Sequence, residues 1–107
     1  MAVNEIDVDR LEELLAQGGR LVDVRETDEY VDGHVPGAVH VALGTVPDRV
    51  DVFRGDGPVY VICKSGGRSM RACEFLHQHD IDAVNVAGGT MAWVLGGRPV
   101  VTGNSPT

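Results

Sequence analysis

Two shortages in the sequence, of cysteine and of long apolar runs, exclude whole classes of protein. Its two cysteines, Cys63 and Cys73, cannot form a disulfide framework, and they lack the C-x-x-C spacing of a zinc or dithiol redox motif. No apolar run approaches the roughly 20 residues of a membrane helix, and the N-terminus lacks the basic start and apolar stretch of a secretory signal. We therefore expect a cytoplasmic protein with free thiols, no metal, no cofactor and no membrane partner.

Basic residues are also scarce. Nine Lys and Arg residues stand against sixteen Asp and Glu, which gives a formal net charge of -7. Nucleic-acid phosphates need a basic protein face. The acidic balance therefore argues against nucleic acid as the main partner.

The length and the hydrophobic pattern predict one α/β domain. The chain has 107 residues and shows neither an internal repeat nor a linker in its middle. Short β-rich runs alternate with helical stretches, and these runs fall at 21–24, 38–41, 59–63 and 83–86. Because the runs are predominantly apolar, they predict a mainly parallel central sheet of about five strands, with helices flanking it in three layers.

Capping residues and composition set the expected boundaries. Asp7 or Asp9 can cap a first helix, Thr27 a second, and Ser69 a helix over 69–79. Residues 1–99 are expected to form the single domain. After Val100 and Val101 the last residues are Thr, Gly, Asn, Ser and Pro with no periodicity, and 100–107 are predicted to be a flexible C-terminal tail.

One short segment carries the chemistry. A buried strand ends in a cysteine, a glycine-containing loop follows, and a helix begins after it: Cys63-Lys64-Ser65-Gly66-Gly67-Arg68-Ser69. Ligands of open α/β sheets bind at the carboxyl ends of strands. The loop N–H groups and the positive end of the helix both favour a thiolate over a thiol. Residues 63–68, called the cysteine loop below, therefore predict a nucleophilic sulfur at Cys63.

Local charge supports this interpretation independently. Three of the nine basic residues, Lys64, Arg68 and Arg71, lie within eight positions, and no Asp or Glu occurs between Gly57 and Cys73. So dense a cationic field on an acidic protein predicts that an anion binds beside the sulfur.

Three further motifs accompany the cysteine loop in a fixed order. They are Leu21-Val22-Asp23-Val24-Arg25 with Glu26 and Glu29-Tyr30 after it; Gly33-His34-Val35-Pro36-Gly37-Ala38; and Gly88-Gly89-Thr90-Met91-Ala92-Trp93. Together with the cysteine loop they resemble the single-domain rhodaneses, a family of sulfurtransferases, over residues 6–99. The resemblance implies a three-layer rhodanese-like fold.

The resemblance also implies a persulfide mechanism. The Cys63 thiolate takes the outer sulfur of thiosulfate or a similar small anionic donor, and cyanide, a thiol or a sulfur-accepting protein then removes it. The loop residues Lys64, Ser65, Gly66, Gly67 and Arg68 are expected to bind the substrate, with Lys64 and Arg68 holding the dianion. Asp23, Arg25 and Ser69 are expected to support the site.

Two other functions stay open at this point. One is a sulfur carrier or a docking module that serves a protein partner without turnover. The other is a cysteine-based phosphatase, which the loop length disfavours, because rhodanese-like phosphatases have one more residue between the cysteine and the arginine. His34 is expected to be a hydrogen-bonded turn residue rather than a base, and Cys73 to pack in the core rather than to act as a resolving thiol.

Overall fold

The computed structural model describes residues 3–107, and the fold is an α/β arrangement. Its strands are β1 (Glu5–Ile6), β2 (Arg20–Asp23), β3 (Val39–His40), β4 (Val59–Ile62) and β5 (Ala83–Val86). Its helices are α1 (Val8–Ala16), α2 (Thr27–Asp32), α3 (Val50–Phe53), α4 (Gly67–His77) and α5 (Gly89–Leu95), and a 3-10 helix at Leu43–Arg49 precedes α3. In this part of the chain no helix has the length and apolar character needed to cross a bilayer.

All five strands run parallel in one sheet, in the order β1-β5-β4-β2-β3. This confirms the predicted parallel α/β fold. The central strand β4 pairs with β2 through Val61 and Val22, and with β5 through Val61 and Asn85. The sequence did not reveal β1, because a two-residue edge strand is too short to show a period.

Alternate residues of the sheet face two apolar layers. From β4, Val59 and Val61 join a cluster with α3, α4 and the 3-10 helix, whereas Tyr60 and Ile62 join a cluster with α1, α2 and α5. Successive side chains of a strand point to opposite faces, so a fully apolar strand must be covered on both sides. This explains the three layers, and it buries β4 completely.

The helix starts correct two predictions from the sequence. The Asp7 side chain accepts a hydrogen bond from the Arg10 N–H at 2.8 Å and caps α1, as one of the two predicted candidates. The cap of α2 is Glu26 and not Thr27, because Glu26 and Glu29 exchange side-chain and backbone hydrogen bonds in a capping box.

The third predicted cap, Ser69, is also wrong. The helix α4 begins at Gly67, two residues earlier than predicted, and Gly66 is its cap at φ +114°. Glycine alone adopts this backbone conformation without strain. The earlier start places Ser69 inside the first turn of the helix and makes its hydroxyl available for other contacts.

The C-terminal residues differ from the frayed backbone that their composition indicates. Val101 pairs with His34 in an antiparallel bridge, with both N–H···O distances at 2.9 Å, and the Ser105 carbonyl lies 2.8 Å from His34 Nε2. These contacts place Val101 and Ser105 against the turn that follows α2. The sequence could not show them, because the partners lie about 70 positions away.

Candidate active site

The candidate site lies where the chain leaves the sheet in opposite directions. From β2 the chain continues to β3 on one side, and from β4 it continues to β5 on the other. Such a reversal opens a crevice between the carboxyl ends of the two strands. Asp23 ends β2 and Cys63 follows β4, so both lie at this crevice, and both are buried.

Hydrogen-bond donors surround the Cys63 sulfur. Its Sγ accepts from the Gly66 N–H at 3.1 Å and lies 3.2 Å from the Ser69 hydroxyl. The positive φ of Gly66 turns the loop back toward the sulfur. The cysteine loop is therefore a short cradle whose N–H groups face one atom.

These donors determine the acidity of the thiol. Burial by itself raises the pKa of Cys63, but hydrogen bonds from the Ser69 hydroxyl and from the N–H groups of Ser69, Gly66 and Ser65 lower it. The hydrogen bonds prevail, and the pKa of Cys63 falls below its usual value. A lower pKa increases the thiolate fraction at neutral pH, and the thiolate is the nucleophile.

A buried polar network stands behind Ser69. Its hydroxyl donates to Asn85 Oδ1 at 2.5 Å, and Asn85 Nδ2 donates to Glu5 Oε2 at 2.8 Å and to the Gly66 carbonyl at 3.2 Å. Asn85 is the polar residue of the otherwise apolar strand β5 and is 1% exposed. The network connects two strands to the loop and fixes the position of the Ser69 hydroxyl.

The N-terminus of α5 holds the other side of the loop. The Cys63 carbonyl accepts from the Thr90 N–H at 2.9 Å and from the Thr90 hydroxyl at 3.0 Å, and the Lys64 carbonyl accepts from the Met91 N–H at 2.9 Å. Gly89, at φ +60°, permits this close approach: a Cβ there would lie 2.5 Å from the Lys64 oxygen. The first carbonyls of the loop are thus turned away from the sulfur and bound to a helix.

The three basic residues of the segment differ in whether an acidic side chain pairs with them. Both terminal nitrogens of Arg68 donate to Glu29, at 2.7 and 2.9 Å, and this pairing lowers the pKa of Glu29 to about 2. Lys64 is exposed and has no ion pair within residues 3–107, and Arg71 is an exposed helix residue. Lys64 is therefore the cation of the loop whose charge is not already balanced.

The two residues expected to support the site form a buried ion pair. Arg25 donates from Nε and Nη2 to the carboxylate of Asp23, at 2.9 to 3.1 Å, and Nη2 also donates to the Gly33 carbonyl at 2.8 Å. The Asp23 side chain is fully buried. The pair joins the end of β2 to the end of α2 and shapes the wall of the crevice.

Two other residues behave as the sequence predicts. Cys73, a residue of α4, is fully buried in the apolar cluster between α4 and the sheet, and burial raises its pKa to about 12. Such a thiol is inert at neutral pH. His34 is buried, with Nδ1 2.7 Å from the Tyr30 carbonyl and Nε2 2.8 Å from the Ser105 carbonyl. It is a structural residue of the turn.

Four residues at the site escaped sequence reasoning: Glu5, Glu29, Asn85 and Thr90. Asn85 did leave a signal, since it is a single polar residue within an apolar strand. Glu29 and Thr90 lie within the quoted motifs, but their partners are more than 25 positions away. Glu5 left no signal.

Comparison with known proteins agrees with this geometry. The family model described as "Rhodanese-like domain" matches residues 7–95. The chain is 38% identical to the "Putative sulfurtransferase YtwF" of Bacillus subtilis, over 87% of this chain and 92% of that protein. It is 37% identical to a sulfurtransferase of Allochromatium vinosum, over 92% and 95%. A rhodanese-related protein from Thermoplasma volcanium superposes with a TM-score of 0.86 at 30% identity, over 94% of this chain and 99% of that one.

Proposed function

The chain belongs to the rhodanese-like domain family, and from that premise we propose that it is a sulfurtransferase that carries a sulfane sulfur as a persulfide on Cys63. The observation that carries the proposal is the convergence of loop N–H groups and the Ser69 hydroxyl on the Cys63 sulfur. The two relatives named for sulfurtransferase activity support the same reaction class.

In the first step the Cys63 thiolate attacks the outer sulfur of thiosulfate. The sulfur–sulfur bond of the donor breaks, and sulfite leaves with the bonding electron pair. Cys63 is left with one added sulfur. The N–H groups that lower the pKa of the thiol also stabilise the terminal anion of the persulfide, which lies in the same cradle.

Lys64 is the residue that we assign to the charge of the donor. It adjoins Cys63, it is exposed, and its ammonium group has no ion-pair partner in residues 3–107. Arg68 adds a weaker contribution, because Glu29 balances most of its charge. This pairing shifts the expected weight of donor binding from Arg68 toward Lys64.

The second step returns the enzyme to its starting form. Cyanide, a low-molecular-weight thiol or a sulfur-accepting protein attacks the outer sulfur, and Cys63 leaves as the thiolate. Both cysteines are free thiols, which fits a reducing compartment, and we propose the cytoplasm as the location.

Mass spectrometry of the intact protein after incubation with thiosulfate tests the proposal. We expect the gain of one sulfur atom on Cys63, followed by its loss to cyanide with release of thiocyanate. The Lys64→Met variant should need about three to ten times more thiosulfate to reach half of its maximal rate of loading. The reason is that a partly exposed charge contact to the bound donor contributes on the order of 1 kcal/mol.

The Cys63→Ser variant is the negative control and should gain no sulfur, whereas Cys73→Ser should load normally. If folded, reduced wild-type protein gains no sulfur, the chain does not use thiosulfate. If it loads but discharges to no small acceptor, it is a sulfur carrier and not an enzyme of turnover.

A further inference from the structure

The exposed apolar side chains of the protein are concentrated at one place. Five large apolar residues of the described chain are exposed, and four of them, Met91, Val94, Leu95 and Val100, line the same groove. Their exposed fractions run from 38% to 81%. Single apolar residues on a surface are ordinary, but a cluster around a concave site marks a binding surface. We call this concavity the apolar groove.

The apolar groove begins at the cysteine loop. Lys64 and Thr90 line it, and Thr90 also donates two hydrogen bonds to the Cys63 carbonyl. Its volume is about 460 Å³, within the range of pockets for small molecules. The size therefore favours a low-molecular-weight occupant over a protein surface.

The helix that carries three of the four apolar side chains is hydrogen-bonded to the cysteine loop. Met91, Val94 and Leu95 project from α5, and the N-terminal N–H groups of this helix bind the carbonyls of the cysteine loop. Gly89 brings the helix so close that a side chain there would collide with the loop. A molecule seated on the apolar side chains is thus held in a constant position relative to Cys63.

Charge around the groove indicates an uncharged occupant. Its lining contains two basic and two acidic residues. Arg25 is neutralised by Asp23, and Glu29 by Arg68. The other two, Lys64 and Asp32, form no ion pair with each other, but their formal charges are opposite and sum to zero over the lining. The groove therefore offers no net charge to the body of a ligand, whereas its apolar wall favours hydrocarbon.

We propose that the apolar groove binds the uncharged hydrocarbon body of the thiol that accepts sulfur from Cys63. This inference rests on the proposed sulfurtransferase function. The acceptor thiolate attacks the outer sulfur of the persulfide, and a new sulfur–sulfur bond forms. The bond between that sulfur and Cys63 breaks, its electron pair stays on Cys63 as the thiolate, and the acceptor leaves as its own persulfide.

The test separates the two half-reactions. Protein is first loaded with thiosulfate, and the persulfide is quantified; its discharge is then timed with ω-hydroxyalkanethiols of two to six carbons at equal thiolate concentration. We expect the second-order rate constant to rise about twofold for each added methylene, because a groove open on one side covers about half of each. Discharge by cyanide, which has no hydrocarbon body, measures the intrinsic reactivity of the persulfide.

Variants locate the effect. In the double variant Val94→Ser/Leu95→Ser, the second-order rate constant of discharge should hardly rise with each added methylene. The rates of loading and of discharge by cyanide should be unchanged. Val39→Ser is the matched control, since Val39 is an exposed valine, 40% against 50% for Val94, that lies outside the groove. It should retain the chain-length dependence. Equal rates for short and long thiols in wild-type protein, or an unchanged slope in the double variant, would overturn the inference.

A failure of loading would overturn the proposed transfer from thiosulfate and not the groove. In that case the unreactive analogue 1-hexanol is titrated into the protein and followed by NMR. Shifts confined to the methyl groups of Met91, Val94 and Leu95 support the apolar groove. No shifts, or shifts centred elsewhere, contradict it.

Discussion

The hydroxyl of Ser69 provides the most direct test of how the fold lowers the pKa of Cys63. It lies 3.2 Å from Sγ and is the largest of the hydrogen-bonding contributions that lower the pKa of Cys63. Replacing Ser69 with Ala removes this donor and leaves the N–H groups of Ser69, Gly66 and Ser65 in place. Because the lost hydrogen bond stabilises the thiolate and not the thiol, the pKa of Cys63 must rise.

The magnitude follows from the strength of such a bond. A hydrogen bond to a charged group contributes about 1.5–3 kcal/mol. The Ser69 proton is shared with Asn85, whose oxygen is closer at 2.5 Å, so the lower end applies. Since one pKa unit corresponds to about 1.4 kcal/mol, Ser69→Ala should raise the pKa of Cys63 by about one unit.

Two assays measure this shift. The ultraviolet absorbance of the thiolate is titrated against pH in a Cys73→Ala background, and the rate of sulfur loading is measured over the same range. Loading should rise with pH through the pKa of Cys63 in both proteins. The Ser69→Ala protein should load about tenfold more slowly on the low-pH side and equally fast on the high-pH plateau.

A matched control lies in the same loop. The side chain of Ser65 is exposed, and only its N–H group acts on Cys63, so Ser65→Ala should leave the titration unchanged. Thermal unfolding shows whether each variant is folded. The assignment of the acidity to this hydroxyl would be refuted if the pH midpoint of the Cys63 titration did not change in Ser69→Ala, or if it shifted equally in both variants.

Two further predictions concern stability. Gly89→Ala should lower the free energy of unfolding, measured in urea, by about 3 kcal/mol. The alanine would have to adopt φ +60°, and its Cβ would collide with the Lys64 carbonyl oxygen. Gly67→Ala is the control: a Cβ at Gly67 has open space around it, and this variant should not be destabilised. Glu29→Gln should change the acid side of the stability profile. The pKa of Glu29 falls from 4.5 to about 2 beside Arg68, so its contribution is present above pH 4.5 and lost as pH falls toward about 2. With both side chains about one-third exposed, the wild type should lose roughly 1 kcal/mol more than Glu29→Gln over that range; parallel profiles would contradict this.

Local patterns explain why much of the fold was predictable. The strand β5 lies where its apolar run predicts, and β4 differs only at Cys63, whose carbonyl binds the N-terminus of α5 instead of the sheet. The apolar pattern of a strand depends on neighbours within a few positions. The cysteine loop was readable for the same reason, because its glycines, its basic residues and its helix are contiguous.

The missed contacts of Arg68 and Ser69 at the site join distant parts of the chain. Local charge predicts that Arg68 binds an anionic substrate, and the pairing that the pattern does not show is with Glu29, 39 positions earlier. The local pattern predicts Ser69 as a helix cap and as a supporting residue of the site; Gly66 is the cap, and Ser69 contacts Asn85, 16 positions later. Which side chain meets which depends on the strand order, and one sequence does not show that order.

The sequence by itself thus determined the fold class, the identity of the sulfur-bearing residue as a prediction, and the family to which the chain belongs. These depend on contiguous residues and on their order along the chain. Only the tertiary structure decided that Lys64 is the unbalanced cation, that Asn85 and Glu5 stand behind Ser69, and that four exposed apolar side chains line one groove beside the loop. The physical reason is that β2, β4 and β5 are parallel neighbours, so their carboxyl ends meet at one edge of the sheet. Residues that lie far apart in the chain therefore come together there.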